Sequence, residues 1–309
     1  MLVKDPPVQV NDNLWMLGSN EYPLYVVRGE GQAAIVEGGV GAMGPLVLEQ
    51  MSELGIDRAS ITQLVIPHAH PDHVMAVPLL RETLPHVKVL ASEIAAGALA
   101  HEKAIAMFVG IDEALTASLL SRGRITESHR PKPLAEKKIP VDRVIGEGDT
   151  IAVDGLSFDV LRTPGHSDCS LSFHEPSRGL LFVSDAAGYF MPDHDDLWPD
   201  YFGGIGPYLE SMERLAGLGA ETLCLGHSAV VQGAEAVAAH FRRAMDATRA
   251  YHQRIVDAVK SGTPVRELAG QLGSEVYEKT PLLPLEFFQK NCNLLVKQSM
   301  KHEGINPEK

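Results

Sequence analysis

Residues 64–80 read LVIPHAHPDHVMAVPLL and place His68, His70, Asp72 and His73 within six positions, between two apolar runs. Imidazole nitrogens and carboxylate oxygens at this density do one of two things. They satisfy one another in a local hydrogen-bond network, or they bind a metal that takes nitrogen and oxygen donors together. A metal site needs further ligands from elsewhere in the chain. Three polar residues follow apolar, strand-like segments in the same manner: His166 in TPGHSD, Asp185 in FVSDA and His227 in CLGH. Loops at the ends of strands are where a rigid scaffold assembles sites, so seven such residues in these contexts predict one common centre.

The elements that must position them are legible from pattern. YPLYVVRGEGQAAIVEGG reads as a hairpin and PLVLEQMSELG as a helix, and ITQLVIP (61–67) is a buried strand that delivers the histidine cluster. A helix ending near Pro85, a strand VKVLAS and a helical stretch over 92–122 come next, followed by the polar connection TESHRPKPLAEKKIP. A second half begins near residue 144. Asp154-Gly155 joins two strands, CSLSFHEPSRGLLFVSD is another hairpin, PYLESMERLAGLG is a helix, and TLCLGH is a short strand. From about residue 234 the pattern is helical only, with one long helix and two more starting at Thr263-Pro264 and at Pro284. Two strand-rich halves flanked by helices predict an α/β (α+β) fold in which two sheets pack face to face under outer helices. The expected division is a catalytic domain over 1–232, with a helical insertion at about 92–135, and a helical extension over 233–309 that caps the site.

Composition narrows the function. A chain of 309 residues with 45% hydrophobic and 22% charged residues can bury one large core. Its net charge of -13 argues against a nucleic-acid partner, because phosphate backbones require a basic face. The N-terminal MLVKDPPVQV has no apolar signal-like core, and no stretch approaches the roughly 18 apolar residues of a membrane helix. Cys169, Cys224 and Cys292 show no paired spacing, so a reducing cytoplasm and small buried thiols are expected.

The ordered set His68-x-His70-x-Asp72-His73, His166 in PGHS, Asp185 in SDA and His227 in GH resembles the metallo-β-lactamase-fold hydrolase superfamily over about residues 12–230. The resemblance implies a four-layer αββα sandwich and a dinuclear metal centre. It further implies that His68, His70 and His166 hold one metal, that Asp72, His73 and His227 hold the other, and that Asp185 bridges them. Iron, zinc and manganese all suit such ligands. Short motifs outside the ligands, VEGGV, VLASE, SDAAGYF and YLESMERL, are similar to the quinolone-signal-response (PqsE-type) thioesterases of that superfamily, which are iron enzymes acting on a CoA thioester. Where that type carries an acidic residue this chain has Tyr189, so the pocket chemistry differs.

The reaction these residues imply is hydrolysis by a hydroxide held between two metals, with Asp72, Asp185 and Tyr189 as catalytic residues and a small-molecule thioester, most of all an acyl-CoA type, as substrate. A lactone or a phosphodiester is the alternative on the same centre. A regulatory, partner-binding protein with vestigial hydrolysis is the alternative of a different class, and the exposed tail helices raise a homodimer. Redox chemistry at a diiron centre is disfavoured, because residues 230–309 carry no glycine-rich phosphate loop. Phe108, Trp198, Tyr201, Phe287 and Phe288 are candidates for an apolar pocket. The segment YFMPDHDDLWPDYFGG (189–204) is a long wall or lid loop, and His194 with Asp193, Asp195 and Asp196 is expected to be a solvated acidic stretch rather than a third metal site.

Overall fold

The computed structural model describes residues 1–306. Along the chain the first half supplies β1 (Leu2–Val3), β2 (Val8–Asn11), β3 (Leu14–Gly18), β4 (Pro23–Arg28), β5 (Ala33–Val36), α1 (Met43–Glu53), β6 (Ile61–Val65), α2 (Val77–Thr83), β7 (Lys88–Ala91), α3 (Glu93–Leu99) and α4 (Glu102–Ser121). The second half adds β8 (Arg143–Val144), β9 (Thr150–Val153), β10 (Leu156–Arg162), β11 (Leu171–Glu175), β12 (Leu180–Ser184), β13 (Tyr189–Met191), β14 (Asp196–Trp198), α5 (Ile205–Ala216), β15 (Thr222–Leu225) and β16 (Val230–Gln232). Three helices follow: α6 (Ala234–Lys260), α7 (Val265–Lys279) and α8 (Leu285–His302).

Two seven-stranded sheets form, in the orders β2-β3-β4-β5-β6-β7-β8 and β1-β16-β15-β12-β11-β10-β9. Strand periodicity explains why they stack. Tyr25 and Val27 of β4 face the layer between the sheets, while Leu24 and Val26 face the cluster that includes residues of α1 to α4. On β12, Leu180 and Phe182 join the inter-sheet layer, and Leu181 and Val183 face the cluster built with α5, α6 and α8. The result is the expected αββα sandwich.

Register places the site. β5, β6, β7 and β8 run parallel, so their C-terminal ends lie at one edge, and β6 delivers its histidine cluster there. In the other sheet β12 and β15 are also parallel, with Ser184 opposite Leu225. Asp185 and His227 therefore leave neighbouring strand ends in the same direction. A backbone bond from Leu171 N to Pro67 O, 2.9 Å, ties the two sheets together at this rim.

Three sequence expectations need correction. The helical stretch 92–122 is two helices, because the chain turns at Ala100-His101 between α3 and α4. The presumed loop 189–204 contains the hairpin β13-β14, whose turn carries Asp195 at φ 47°. β1, at the very start of the chain, completes the second sheet beside β16. One helix, α4, is long and apolar enough to cross a membrane by length and composition, with a mean hydropathy of 1.5. Its apolar residues include Phe108, Ile111 and Leu115, which line a cavity, and it buries Asp112 against the Gly41 N–H at 2.6 Å. All three cysteines are buried and free.

Candidate metal centre

Each of the seven residues marked by the sequence converges on one point. His68, His70, His166 and Asp185 form one group of donor atoms lying within 4.8 Å of one another, and Asp72, His73 and His227 form a second. Asp185 reaches both. Its Oδ2 lies 3.6 Å from His68 Nε2, 3.3 Å from His73 Nε2 and 3.3 Å from His166 Nε2, while its Oδ1 lies 3.3 Å from His227 Nε2. Asp72 Oδ2 stands 3.6 Å from His73 Nε2 and 3.7 Å from His227 Nε2.

The three 3.3 Å separations fit a metal better than a proton. A charge-assisted hydrogen bond closes to about 2.8 Å, whereas two donors on one ion with bonds near 2.1 Å sit about 2.9–3.4 Å apart. His68 Nε2 and His73 Nε2 are buried with no hydrogen-bond partner, a costly arrangement that bound ions would relieve. The outer ring nitrogens are held as well. His73 Nδ1 meets Glu37 Oε2 at 2.7 Å, His166 Nδ1 meets Asp200 Oδ2 at 3.1 Å, His227 Nδ1 meets the Glu21 carbonyl at 2.6 Å, and His68 Nδ1 meets Ser184 Oγ at 3.3 Å. Such outer partners orient imidazole ligands and sharpen their basicity.

Electrostatics agree with the geometry. Burial lowers the pKa of His68, and burial together with His166 lowers His70 to about 3, so both present neutral nitrogens at pH 7. Burial opposes protonation of His73, His166 and His227 too, yet carboxylates outweigh it. Asp185, Glu37 and Asp72 raise His73, Asp200 and Asp185 raise His166 to about 9, and Asp185 raises His227. Asp185 is held well below the usual carboxylate range against its own burial by His73, His227 and His166. The field that favours a proton on these rings equally favours a metal cation.

Backbone strain is concentrated at the same rim. Glu37, Ser184 and Ser228 all adopt positive φ, at 79°, 48° and 72°. Ser184 and Ser228 adjoin Asp185 and His227, and Glu37 supports His73, so the strain aims the site's side chains. Gly226 is required for a different reason: a Cβ there would fall on Asp185 Oδ1.

Sequence reasoning missed the supports. Glu37 and Asp200 are 2% and 3% exposed, an unusual state for carboxylates and a sign of paired partners. Asp200 also accepts a 2.6 Å bond from Tyr208 Oη. Nothing in one-dimensional spacing joins Glu37 to His73 or Asp200 to His166.

A cavity of about 340 Å³ opens above the ligands. Phe108, Trp198, Phe287 and Phe288 line it as expected, together with Tyr22 and Phe202, which sequence reasoning did not mark. Tyr201 does not line it; that side chain is fully buried, with Oη 2.8 Å from Ser299 Oγ. Tyr189 does, with its ring 4.8 Å from that of His227 and Oη 3.4 Å from Thr280 Oγ1. α4 and the α7–α8 region close over the end of the sandwich that carries the ligand candidates, contributing Met107, Ile111, Leu283 and Leu294 to the walls. The acidic stretch is ion-paired at the surface: Lys4 meets Asp193, Arg243 meets Asp195, and Lys279 meets Asp196.

Comparison with known proteins agrees with this architecture. The family model described as "Metallo-beta-lactamase superfamily" matches residues 23–227. A hydroxyacylglutathione hydrolase of Fuscovulum blasticum is 26% identical over 204 residues, covering 64% of this chain and 58% of the relative. One from Xylella fastidiosa (strain M12) is 28% identical over 216 residues, covering 70% and 62%. The chain thus spans about six tenths of the length of these curated relatives. Among solved structures, a metallo-beta-lactamase family protein from Thermus thermophilus superposes with TM-score 0.65 at 21% identity, covering 96% of this chain and 95% of that one. Rubredoxin oxygen:oxidoreductase from Desulfovibrio gigas does so with TM-score 0.57 at 17% identity, covering 78% and 61%. With its ligand motifs, its two facing sheets and a family match across most of the sandwich, the chain belongs to the metallo-beta-lactamase superfamily.

Proposed function

We propose that this protein is a metal-dependent hydrolase that cleaves a small-molecule thioester with an apolar acyl group, of the acyl-CoA type. The observation that carries the reading is Asp185, shared between two ligand clusters at the floor of a cavity whose lining, among the described residues, includes no lysine or arginine. His68, His70 and His166 would hold one ion, Asp72, His73 and His227 the other, and Asp185 would join them. A pair of divalent ions there supplies Lewis-acid polarisation of a carbonyl and a water acidified toward neutral pH. The donor set has no thiolate and suits iron, zinc or manganese.

The chain's own residues favour a thioester over an ester or lactone. Hydrolysis forms one carbon–oxygen bond from water and breaks the acyl–sulfur bond, with the electron pair leaving on sulfur. A thiolate, with a conjugate pKa of about 8.5, departs without a strong acid, whereas an alkoxide needs a proton. Every histidine lining the cavity is already a ligand candidate. Burial pushes Tyr189 above its ordinary value, so it stays protonated. It is a poor proton source for an alkoxide and a good fixed donor to a developing oxyanion. Asp72, with a side chain 26% exposed, presents its carboxylate to the cavity and accepts a hydrogen bond from an incoming water. The aromatic and aliphatic walls exclude bulk water and match an apolar acyl chain or ring. The hydroxyacylglutathione hydrolases among the relatives support the same bond type.

The test is anaerobic purification with elemental analysis, then a panel of acyl-CoA thioesters, lactones and phosphodiesters. Two metals per chain and preferential turnover of thioesters are expected. Less than one metal per chain with no turnover on any member would overturn the proposal.

A further inference from the structure

The cavity above the ligand candidates shares a wall with a second cleft of about 350 Å³ and opposite character. Tyr189, Thr280 and Leu282 belong to the walls of both, and the Tyr189–Thr280 contact stands between them. Among the described residues, the inner cavity has carboxylates and apolar walls but no lysine or arginine in its lining. The outer cleft has Lys4, Arg122, Arg124 and Lys279 against Asp5, Glu21 and Asp193. Across the whole chain acidic residues outnumber basic ones 40 to 27, so the balance reverses at this place.

Three of the four cations are ion-paired, and Arg122 is not. Lys4 and Lys279 pair with Asp193 and Asp196. Arg122 is held by neutral acceptors, the Pro281 carbonyl and Ser118 Oγ at 3.3 Å, which fix the guanidinium without cancelling its charge. Arg124 engages Glu21 Oε1 at 2.9 Å through Nε and is 54% exposed. A guanidinium has five donors, so Arg124 retains a fork for another anion. Both arginines follow the end of α4, whose apolar residues wall the inner cavity, and Pro281 lies beside Leu282 and Leu283 of the opposite wall. Arg122 thus ties the end of α4 to the Pro281 segment, and Arg124 ties it to Glu21.

We propose that the cleft around Arg122 and Arg124 binds the anionic end of the thiol leaving group, while the acyl group occupies the inner cavity. This rests on the thioester reading above and deepens it: the substrate is bipartite, apolar on the acyl side of the scissile bond and anionic on the thiol side. The shared chemistry is a multiply charged anion, supplied by phosphates in a CoA-type carrier or by carboxylates in a glutathione-type carrier.

The experiment compares the metal-loaded protein with R122A/R124A and with R122K/R124K. One acyl group is offered on CoA, on glutathione and on neutral N-acetylcysteamine, and binding of free CoA and free glutathione is measured by calorimetry. In R122A/R124A the advantage of a charged over the neutral thioester, expressed as a ratio of KM values, is expected to fall about tenfold, as for removal of a charge-assisted hydrogen bond. The lysine variant should recover part of it. Whichever free thiol loses affinity in parallel identifies the anion as phosphate or carboxylate. An unchanged KM ratio, with unchanged affinity for both free thiols, would overturn the proposal. Calorimetry needs no turnover, so a chain that hydrolyses no thioester but loses thiol binding with the arginines retains the subsite and rejects only the reaction.

Discussion

Glu37 Oε2 lies 2.7 Å from His73 Nδ1, and both side chains are almost wholly buried. The carboxylate sits at the end of β5 with φ 79°, a conformation that aims it across the rim at a histidine 36 positions later. It fixes the ring so that Nε2 faces Asp185 and Asp72. E37Q is expected to weaken metal binding at the Asp72–His73–His227 cluster by about 10–100-fold while the other cluster keeps its ion. Chelator competition followed by elemental analysis reads this directly; equal loss from both clusters would contradict the assignment.

Asp185 is the only carboxylate within ion-pair distance of four imidazoles among the described residues. D185N halves the anionic charge offered by Asp72 and Asp185 and removes the shared ligand. Turnover should fall below detection, with metal content reduced and the circular-dichroism spectrum retained. A variant that keeps both metals and full hydrolysis would remove Asp185 from the mechanism.

Tyr189 separates a catalytic from a packing role. Y189F keeps the ring against His227 and removes only the hydroxyl. Loss of one oxyanion donor typically lowers kcat by roughly 10²-fold or more, with little change in KM. If kcat is unchanged and only thermal stability moves, Tyr189 is a wall residue.

Leu294 is 38% exposed at the cavity mouth. L294E places a charge there at little cost to the core. KM for a long apolar acyl thioester should rise about 3–10-fold, in proportion to the apolar area that the acyl chain no longer buries, and kcat should hold. Steady-state kinetics on a short and a long acyl group distinguish this from general damage, because the short substrate should be less affected.

Asp112 gives stability a pH dependence of its own. Burial raises its carboxyl from 3.8 to about 6, although the Gly41 N–H works the other way. Between those values the folded chain binds more protons than the unfolded one. Its stabilising contribution is therefore complete below the unfolded value and is lost as pH rises through the folded one, amounting to at most about 3 kcal/mol. D112N retains an acceptor for Gly41 and never ionises. Its advantage in Tm over the natural protein is expected to be larger at pH 7.5 than at pH 4.5 by calorimetry. An advantage independent of pH would show that the carboxyl does not titrate as described.

How much of this was legible in one dimension follows from what sequence patterns encode. All seven ligand candidates could be marked, because each closes an apolar strand-like run and a strand end is a local signal. The helices after Pro264 and Pro284 were legible for the same reason, since proline is tolerated at a helix start and blocks its interior. The hairpin β13-β14 was not: its three-residue strands are separated by a proline- and aspartate-containing turn and depend on pairing rather than on pattern.

By itself, then, the sequence determined the inventory of candidate donors, the fold class and the order in which they occur along the chain. Only the tertiary structure decided which groups meet. The parallel register of β12 with β15 sets Asp185 beside His227, the folding of the two sheets brings Glu37 to His73 and Asp200 to His166, and α4 and α8 enclose an apolar cavity beside an arginine cleft. The physical reason is range. Periodicity and turn chemistry act over a few residues, while coordination and second-layer hydrogen bonds depend on distances of about 2–3 Å between positions tens to hundreds of residues apart, and those are fixed only when the sheets pack.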